Sequence, residues 1–225
     1  MEELHIVQKI AVMAPPIIFA IVLHEVAHGW VADKLGDHTA RDMGRLTLNP
    51  LSHIDLFGTI LMPLLLFWAT NGRMVFGYAK PVPINPYNFK DPKKGMALSS
   101  LAGPGINLVM AISFAVILRL VLPAIAQISP RDAWNWFGPP LVLMCQSGVI
   151  INVVLGVLNM IPIPPLDGSR VVYWLLPDKQ AALYYQLERY GFVILMMLLA
   201  FNILGKIIGP LIDPLLSILL GPYYQ

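Results

Sequence analysis

Four long runs of apolar residues organise the chain, at about 10–35, 96–122, 139–160 and 190–220, and a weaker fifth lies at 56–70. Each of the four reaches the roughly 20 residues that a helix needs to cross a hydrocarbon core about 30 Å thick. The fifth, LFGTILMPLLLFWAT, carries Pro63 and is short for a span. The last run is interrupted by GKIIGP at 205–210, which predicts a span joined to a returning or interfacial piece. Two stretches read as extended. GRLTLNP at 44–50 alternates around Leu46 and Leu48, and MVFGYAKPVPINP at 74–86 is rich in aromatic and β-branched residues before its prolines. They predict strands or a hairpin close to the membrane surface.

Composition agrees with a chain that uses the lipid bilayer as its solvent. Of 225 residues, 57 % are hydrophobic and 12 % charged, with a mean hydropathy of +0.68. Ordinary globular domains carry about twice that charge fraction. A net charge of +2 without a basic stripe argues against nucleic acid as a partner. The single Cys145 excludes an intrachain disulfide and reads as a buried thiol. The first apolar run is not a signal peptide, because it continues into the chemistry described next. There is no internal repeat, and the polar connections are too short to fold alone. The expectation is one integral-membrane domain over 1–225, with a catalytic core at about 10–170 and C-terminal helices at about 180–225.

Residues 24–28 read HEVAH, inside a run with no charge between Lys9 and Glu25. On a helix, His24 and His28 share a face and can grip one zinc ion, while Glu25 can reach a water as general base. Ionisable groups inside a span cost about 2.5–3.5 kcal/mol or more each, so three within five residues require a role. A catalytic zinc needs a third protein ligand and an open position. Glu2, Glu3, Glu188, His5, His38, His53, Asp55, Asp132, Asp167 and Asp213 are the candidates. Asp167 stands out, because it ends NMIPIPPLD directly after the third long run. Its prolines force an extended path and Gly168 permits a tight turn, a rigid way to aim a carboxylate.

HExxH on a membrane helix, followed by N-x-x-P-x-x-x-L-D-G, resembles the site-2 protease family of intramembrane zinc metalloproteases. GRLTLNPLSHID, FGYAKPVPINP and ALSSLAGPGIN resemble its short members that lack a PDZ domain. The resemblance runs from about residue 10 to 168. It implies one zinc ion held by His24, His28 and Asp167, Glu25 as catalytic base, and Asn159 binding substrate or the oxyanion. It also implies transmembrane proteins as substrates.

That ligand set makes a topological demand. If 56–70 crossed the membrane, the helices carrying His24 and leading to Asp167 would run oppositely and their ends could not meet. The segment is therefore expected to dip and return, or to pack within the bundle. On this arrangement eleven Lys and Arg lie on the active-site face against three on the other, with Lys206 unassigned, which predicts a site opening toward the cytoplasm of a cell membrane. The expected fold class is an all-α membrane protein, a polytopic helical bundle with a small β-hairpin or re-entrant strand element near the active-site face. Tyr78 and Ala79 are expected to offer a strand edge to unwound substrate. Asn107 is expected to bond near the site. His53 and Asp55 either support the metal ligands from outside or form a satisfied surface pair. The rival readings are a membrane-anchored protease with a soluble catalytic domain, for which little polar chain follows HEVAH, and a zinc or cation transporter using the same cluster. Oligomeric state is not indicated.

Overall fold

The computed structural model describes residues 6–72 and 76–224. The described residues are almost entirely helical. Helix α1 spans Ile6–Lys34 and α2 is the single turn Thr39–Asp42. A π-helical turn, Leu56–Leu61, leads into α3, Met62–Ala69. Helix α4, Pro92–Val116, continues through a second π-helical turn, Ile117–Val121, into α5, Leu122–Ile128. Helix α6 is Arg131–Asn159, and α7, α8, α9 and α10 are Asp167–Leu175, Asp178–Gln186, Glu188–Ala200 and Ile203–Leu220.

Among the described residues, four stretches are long and apolar enough to cross a membrane: Ile10–Lys34, Pro92–Ile128, Arg131–Asn159 and Ile203–Tyr223. The chain is a multi-pass membrane protein. The third begins earlier than the apolar run at 139–160 because Pro139 and Pro140 lie within α6 rather than at its start. The fourth differs more. The break falls at Asn202, left-handed at φ 53°, and 205–210 lies inside α10. An Asn can end a helix in that conformation, whereas Pro in a membrane helix is accommodated by neighbouring groups. The apolar run at 190–220 is thus two helices, of which only the second is long enough to span.

No strand forms among the described residues, so the expected β-hairpin is absent. Residues 74 and 75 of the second stretch lie outside the described residues. From 76 onward the backbone N–H groups of alternate residues do find partners, but not on another strand. Tyr78 donates to the Gly58 carbonyl at 3.0 Å and Lys80 to the His53 carbonyl at 2.9 Å. Val82 donates to the Glu25 carboxylate at 2.9 Å. Arg45 donates to the carbonyls of Lys80 and Pro81. The strand-like alternation is real, but a π-turn, a 3-10 turn at Pro50–His53 and side chains take the places of a ladder.

Those bonds also bring the chain after the short apolar segment back to its start. Leu56–Leu61 and Met62–Ala69 together rise about 21 Å, short of a hydrocarbon core. The Asp55 carboxylate caps the start, accepting the Gly58 N–H at 2.6 Å. By Lys80 the chain is back against His53. The excursion leaves and returns at one place. Its two arms meet through glycines: a Cβ on Gly77 would lie 2.7 Å from Pro63 and 2.8 Å from the Gly58 carbonyl oxygen.

The chain divides into two compact units, Met1–Ala20 with Pro104–Asn159 and Lys206–Gln225, and Ile21–Gly103 with Met160–Gly205. The first has a core with heptad-like spacing: Ala111, Ala115, Leu118 and Leu122 meet Cys145, Val149 and Val153 of α6 and Ile212, Leu216 and Leu220 of α10. Gly148 gives the Phe114 ring its place. Small residues and interhelical hydrogen bonds do this work in lipid, where apolar burial alone gives little drive. Asn107 and Asn152 are fully buried, with the Asn107 amide donating to Asn152 Oδ1 at 2.8 Å and to the Ala20 carbonyl at 3.3 Å. Ile18, Phe19, Val109, Ile112 and Ile150 are exposed on their helices, as lipid-facing side chains should be.

Candidate metal centre

The second unit holds the chemistry. His24 and His28 lie one turn apart on α1, and both are buried. Asp167 opens α7, after the loop at 160–166, and its Oδ2 comes within 3.2 Å of His24 Nε2 and 3.3 Å of His28 Nε2. The two Nε2 atoms are 2.9 Å apart. Among the described residues this is the group of three His, Cys, Asp or Glu side chains placed to hold one metal ion.

Backbone contacts shape the group. His28 Nδ1 lies 2.7 Å from the Ser99 carbonyl oxygen, which can only accept. That nitrogen therefore carries a proton, and Nε2 is the ring atom that faces His24 and Asp167. Gly103 of α4 lies directly against both rings: a Cβ there would overlap His28 and come within 2.6 Å of His24. Gly168, just after Asp167, is forced by the Met160 carbonyl, which a Cβ would overlap. Glu25 is half-buried and its Oε2 accepts the Val82 N–H. One turn on, Gly29 leaves room for Val82, whose Cγ1 would be 2.7 Å from a Cβ at that position. HEVAHG is thus a docking face for the 81–83 segment as well as a ligand pair.

The relatives of known name agree with this geometry. Over 182 residues the chain is 38 % identical to "Putative zinc metalloprotease YwhC" of Bacillus subtilis, covering 81 % of this chain and 77 % of that protein. The chain belongs to this zinc metalloprotease family. It is 32 % and 30 % identical to the proteins named "Putative zinc metalloprotease Rip2" of Mycolicibacterium smegmatis and Mycobacterium tuberculosis, over 81 % and 80 % of its length. It spans 64 % and 63 % of those two proteins, just under two thirds. No family model matches the chain, and no solved structure matches it with significance.

The protease's three donors fit zinc. Asp167 Oδ2 is buried without a hydrogen-bond partner and faces two imidazole nitrogens. Bonds of about 2.0–2.1 Å in a tetrahedral site set ligand atoms about 3.3–3.4 Å apart. Edges of 2.9, 3.2 and 3.3 Å are close to one face of such a tetrahedron. Two His and one Asp leave a fourth position for water or substrate, as a catalytic rather than a structural zinc requires.

The other expected site residues are not members of the three-residue group. His53 is buried, with Nε2 2.9 Å from the Thr47 carbonyl oxygen and Nδ1 without a partner. Asp55 caps the π-turn. Neither belongs to the three-residue group. Asn107 joins α1, α4 and α6 within the first unit, and Asn159 at the end of α6 donates to the Leu155 carbonyl at 3.0 Å. Ser99, Gly103, Gly29 and Val82 were not singled out as site residues from the sequence. Gly103 had a signal, its place in ALSSLAGPG. Ser99 and Val82 contribute backbone atoms, which no residue type announces.

Proposed function

We propose that this zinc metalloprotease is an intramembrane endopeptidase of the site-2 type, hydrolysing peptide bonds in or near transmembrane segments of other membrane proteins. The observation that carries the reading is that His24 and His28 lie within a stretch, Ile10–Lys34, that is long and apolar enough to span. The motif stretches around residues 44, 76 and 97 support the short subfamily without a PDZ domain. The distribution of Lys and Arg supports a site opening toward the cytoplasm.

Zinc held by His24, His28 and Asp167 would supply Lewis acidity and acidify a water molecule. Glu25, beside His24, would take a proton from a water molecule and pass it to the leaving amide nitrogen. Val82 restrains one Glu25 oxygen and leaves the other for the reaction. By position in its motif, Asn159 binds the oxyanion or the substrate backbone. A helical substrate must unwind to expose a carbonyl. Alternation along 76–82 turns Tyr78, Lys80 and Val82 toward partners within the chain, so residues 77 and 79 present the opposite edge, where Ala79 can receive an extended peptide while Tyr78, whose N–H and carbonyl are taken by Gly58 and Thr59, borders it.

Glu25→Gln tests the enzyme reading in native membranes. Zinc should stay bound and uncleaved substrates should accumulate on the variant, where they can be identified. Cleavage at the wild-type rate would remove Glu25 from the mechanism. A cation transporter on the same cluster finds no support in the relatives, which are named metalloproteases. Metal uptake into vesicles abolished by Glu25→Gln would revive it.

A further inference from the structure

Asp167 is the one zinc ligand that does not sit on a spanning helix. It opens α7, a helix of nine residues, and hangs from the loop at 160–166, whose internal hydrogen bonds include Ile163 N–H to Ile161 and Leu166 N–H to Ile163. What holds that loop comes from further along the chain. The Tyr184 hydroxyl of α8 donates to the Pro162 carbonyl at 2.8 Å. Gly191 of α9 lies against the Pro164 carbonyl so closely that a Cβ would overlap both its oxygen and its carbon. Arg170 of α7 donates both terminal guanidinium nitrogens to the Glu188 carboxylate of α9, one at 3.2 Å, and both side chains are about one-third exposed.

We propose that α8 and α9 act as a clamp on the ligand loop, so that Tyr184, Gly191 and the Arg170–Glu188 pair are positioning residues for Asp167 and set how tightly the chain holds zinc. The physical reason is tolerance. A ligand constellation must be held to within about 0.5 Å, and residues outside the ligand shell commonly govern metal affinity by about 10- to 100-fold. A carbonyl against Gly191 cannot rotate away as a side chain can. Any Cβ there must separate α9 from the loop, and the loop carries Asp167. The bidentate Arg170–Glu188 pair fixes the other side of the same joint, one turn into α7. The proposal rests on His24, His28 and Asp167 being the zinc ligands, and the experiment keeps the two apart.

The full chain in detergent is loaded with zinc and titrated with a competing chelator. Asp167→Ala should lose the metal. Wild-type affinity in that variant would overturn the ligand assignment, and the clamp with it. With Asp167 confirmed, Gly191→Ala should hold zinc about 10- to 100-fold more weakly, and Tyr184→Phe a few-fold more weakly. Gly209→Ala, whose Cβ would meet nothing within 4 Å, should match wild type. Arg170→Glu and Glu188→Arg should each weaken zinc binding, and the two together should restore it, a recovery that general loss of packing does not give. Zinc affinity equal to wild type in a Gly191→Ala protein of native helix content would overturn the clamp. If Gly191→Ala does not fold, the charge swap decides, and single swaps at wild-type affinity overturn it equally.

Discussion

The Glu25 carboxylate and the Val82 peptide N–H are hydrogen-bonded at 2.9 Å, across 57 residues of chain. Val82 stands between Pro81 and Pro83, which have no N–H to give, so it is the one backbone donor of that tripeptide. Val82→Pro should therefore slow cleavage of a trapped substrate about 10- to 100-fold, the worth of a hydrogen bond to a charged group. Zinc content, measured by elemental analysis, should stay at one per chain. Loss of zinc in proportion to activity would show that the bond supports the metal ligands instead.

Gly103→Ala should remove zinc selectively. Its methyl group would stand where the two imidazoles now lie, and neither ring can retreat without leaving Asp167 or Ser99. Zinc affinity about 10- to 100-fold weaker, with helix content unchanged by circular dichroism, is the expected result.

Gly77→Ala should leave zinc in place and impair cleavage. The added methyl group would push against Pro63 and the Gly58 carbonyl oxygen, parting the two arms of the excursion. Tyr78→Pro should act in the same sense by deleting the N–H that Gly58 accepts. Cleavage and zinc content measured on one preparation separate these effects.

Asp37 gives a pH signature outside the spans. It is fully buried on the loop after α1. Burial raises its carboxyl, but the Thr39 hydroxyl, the Asn88 amide and the N–H groups of Asn85 and Thr39 together hold it below the usual carboxylate range. A depressed folded value means stability that is present above about pH 4 and lost as pH falls through the folded value. Asp37→Asn should lower stability by about 2 kcal/mol at pH 7. Thermal unfolding in detergent should show the gap between variant and wild type closing below about pH 4. A gap constant from pH 7 to pH 3 would contradict the reading.

Orientation is testable without substrate. In a Cys145→Ser background, Lys34→Cys and Arg170→Cys should react with a membrane-impermeant maleimide from one side of the membrane, the cytoplasmic side. Labelling from opposite sides would separate the ends that the zinc ligands require together.

The sequence was informative where the determinant is local. A four-residue spacing puts His24 and His28 on one helix face without knowledge of the rest of the chain, and Asp167, which the elbow singled out and the family resemblance implied as third ligand, lies 3.2 and 3.3 Å from their Nε2 atoms. It was less informative where a partner is distant or is backbone. The alternation in FGYAKPV was legible, but nothing in it says that Tyr78, Lys80 and Val82 bond to Gly58, His53 and Glu25 rather than to a second strand. The break in the last apolar run falls before the 205–210 stretch for another reason. Gly205, Gly209 and Pro210 look like breakers by soluble standards, yet α10 runs through them, while an unremarkable Asn202 adopts the left-handed turn.

The excursion that opens near His53 and closes at Lys80 is, in effect, an insertion with both of its ends in one place. Joining such ends by a different length of chain changes the loop-closure cost only slowly. The chain between those ends can therefore change in length or composition while the order of the spanning helices and the three zinc donors stay as they are. Proteases built on this plan could diverge in this excursion without disturbing the residues that hold the metal.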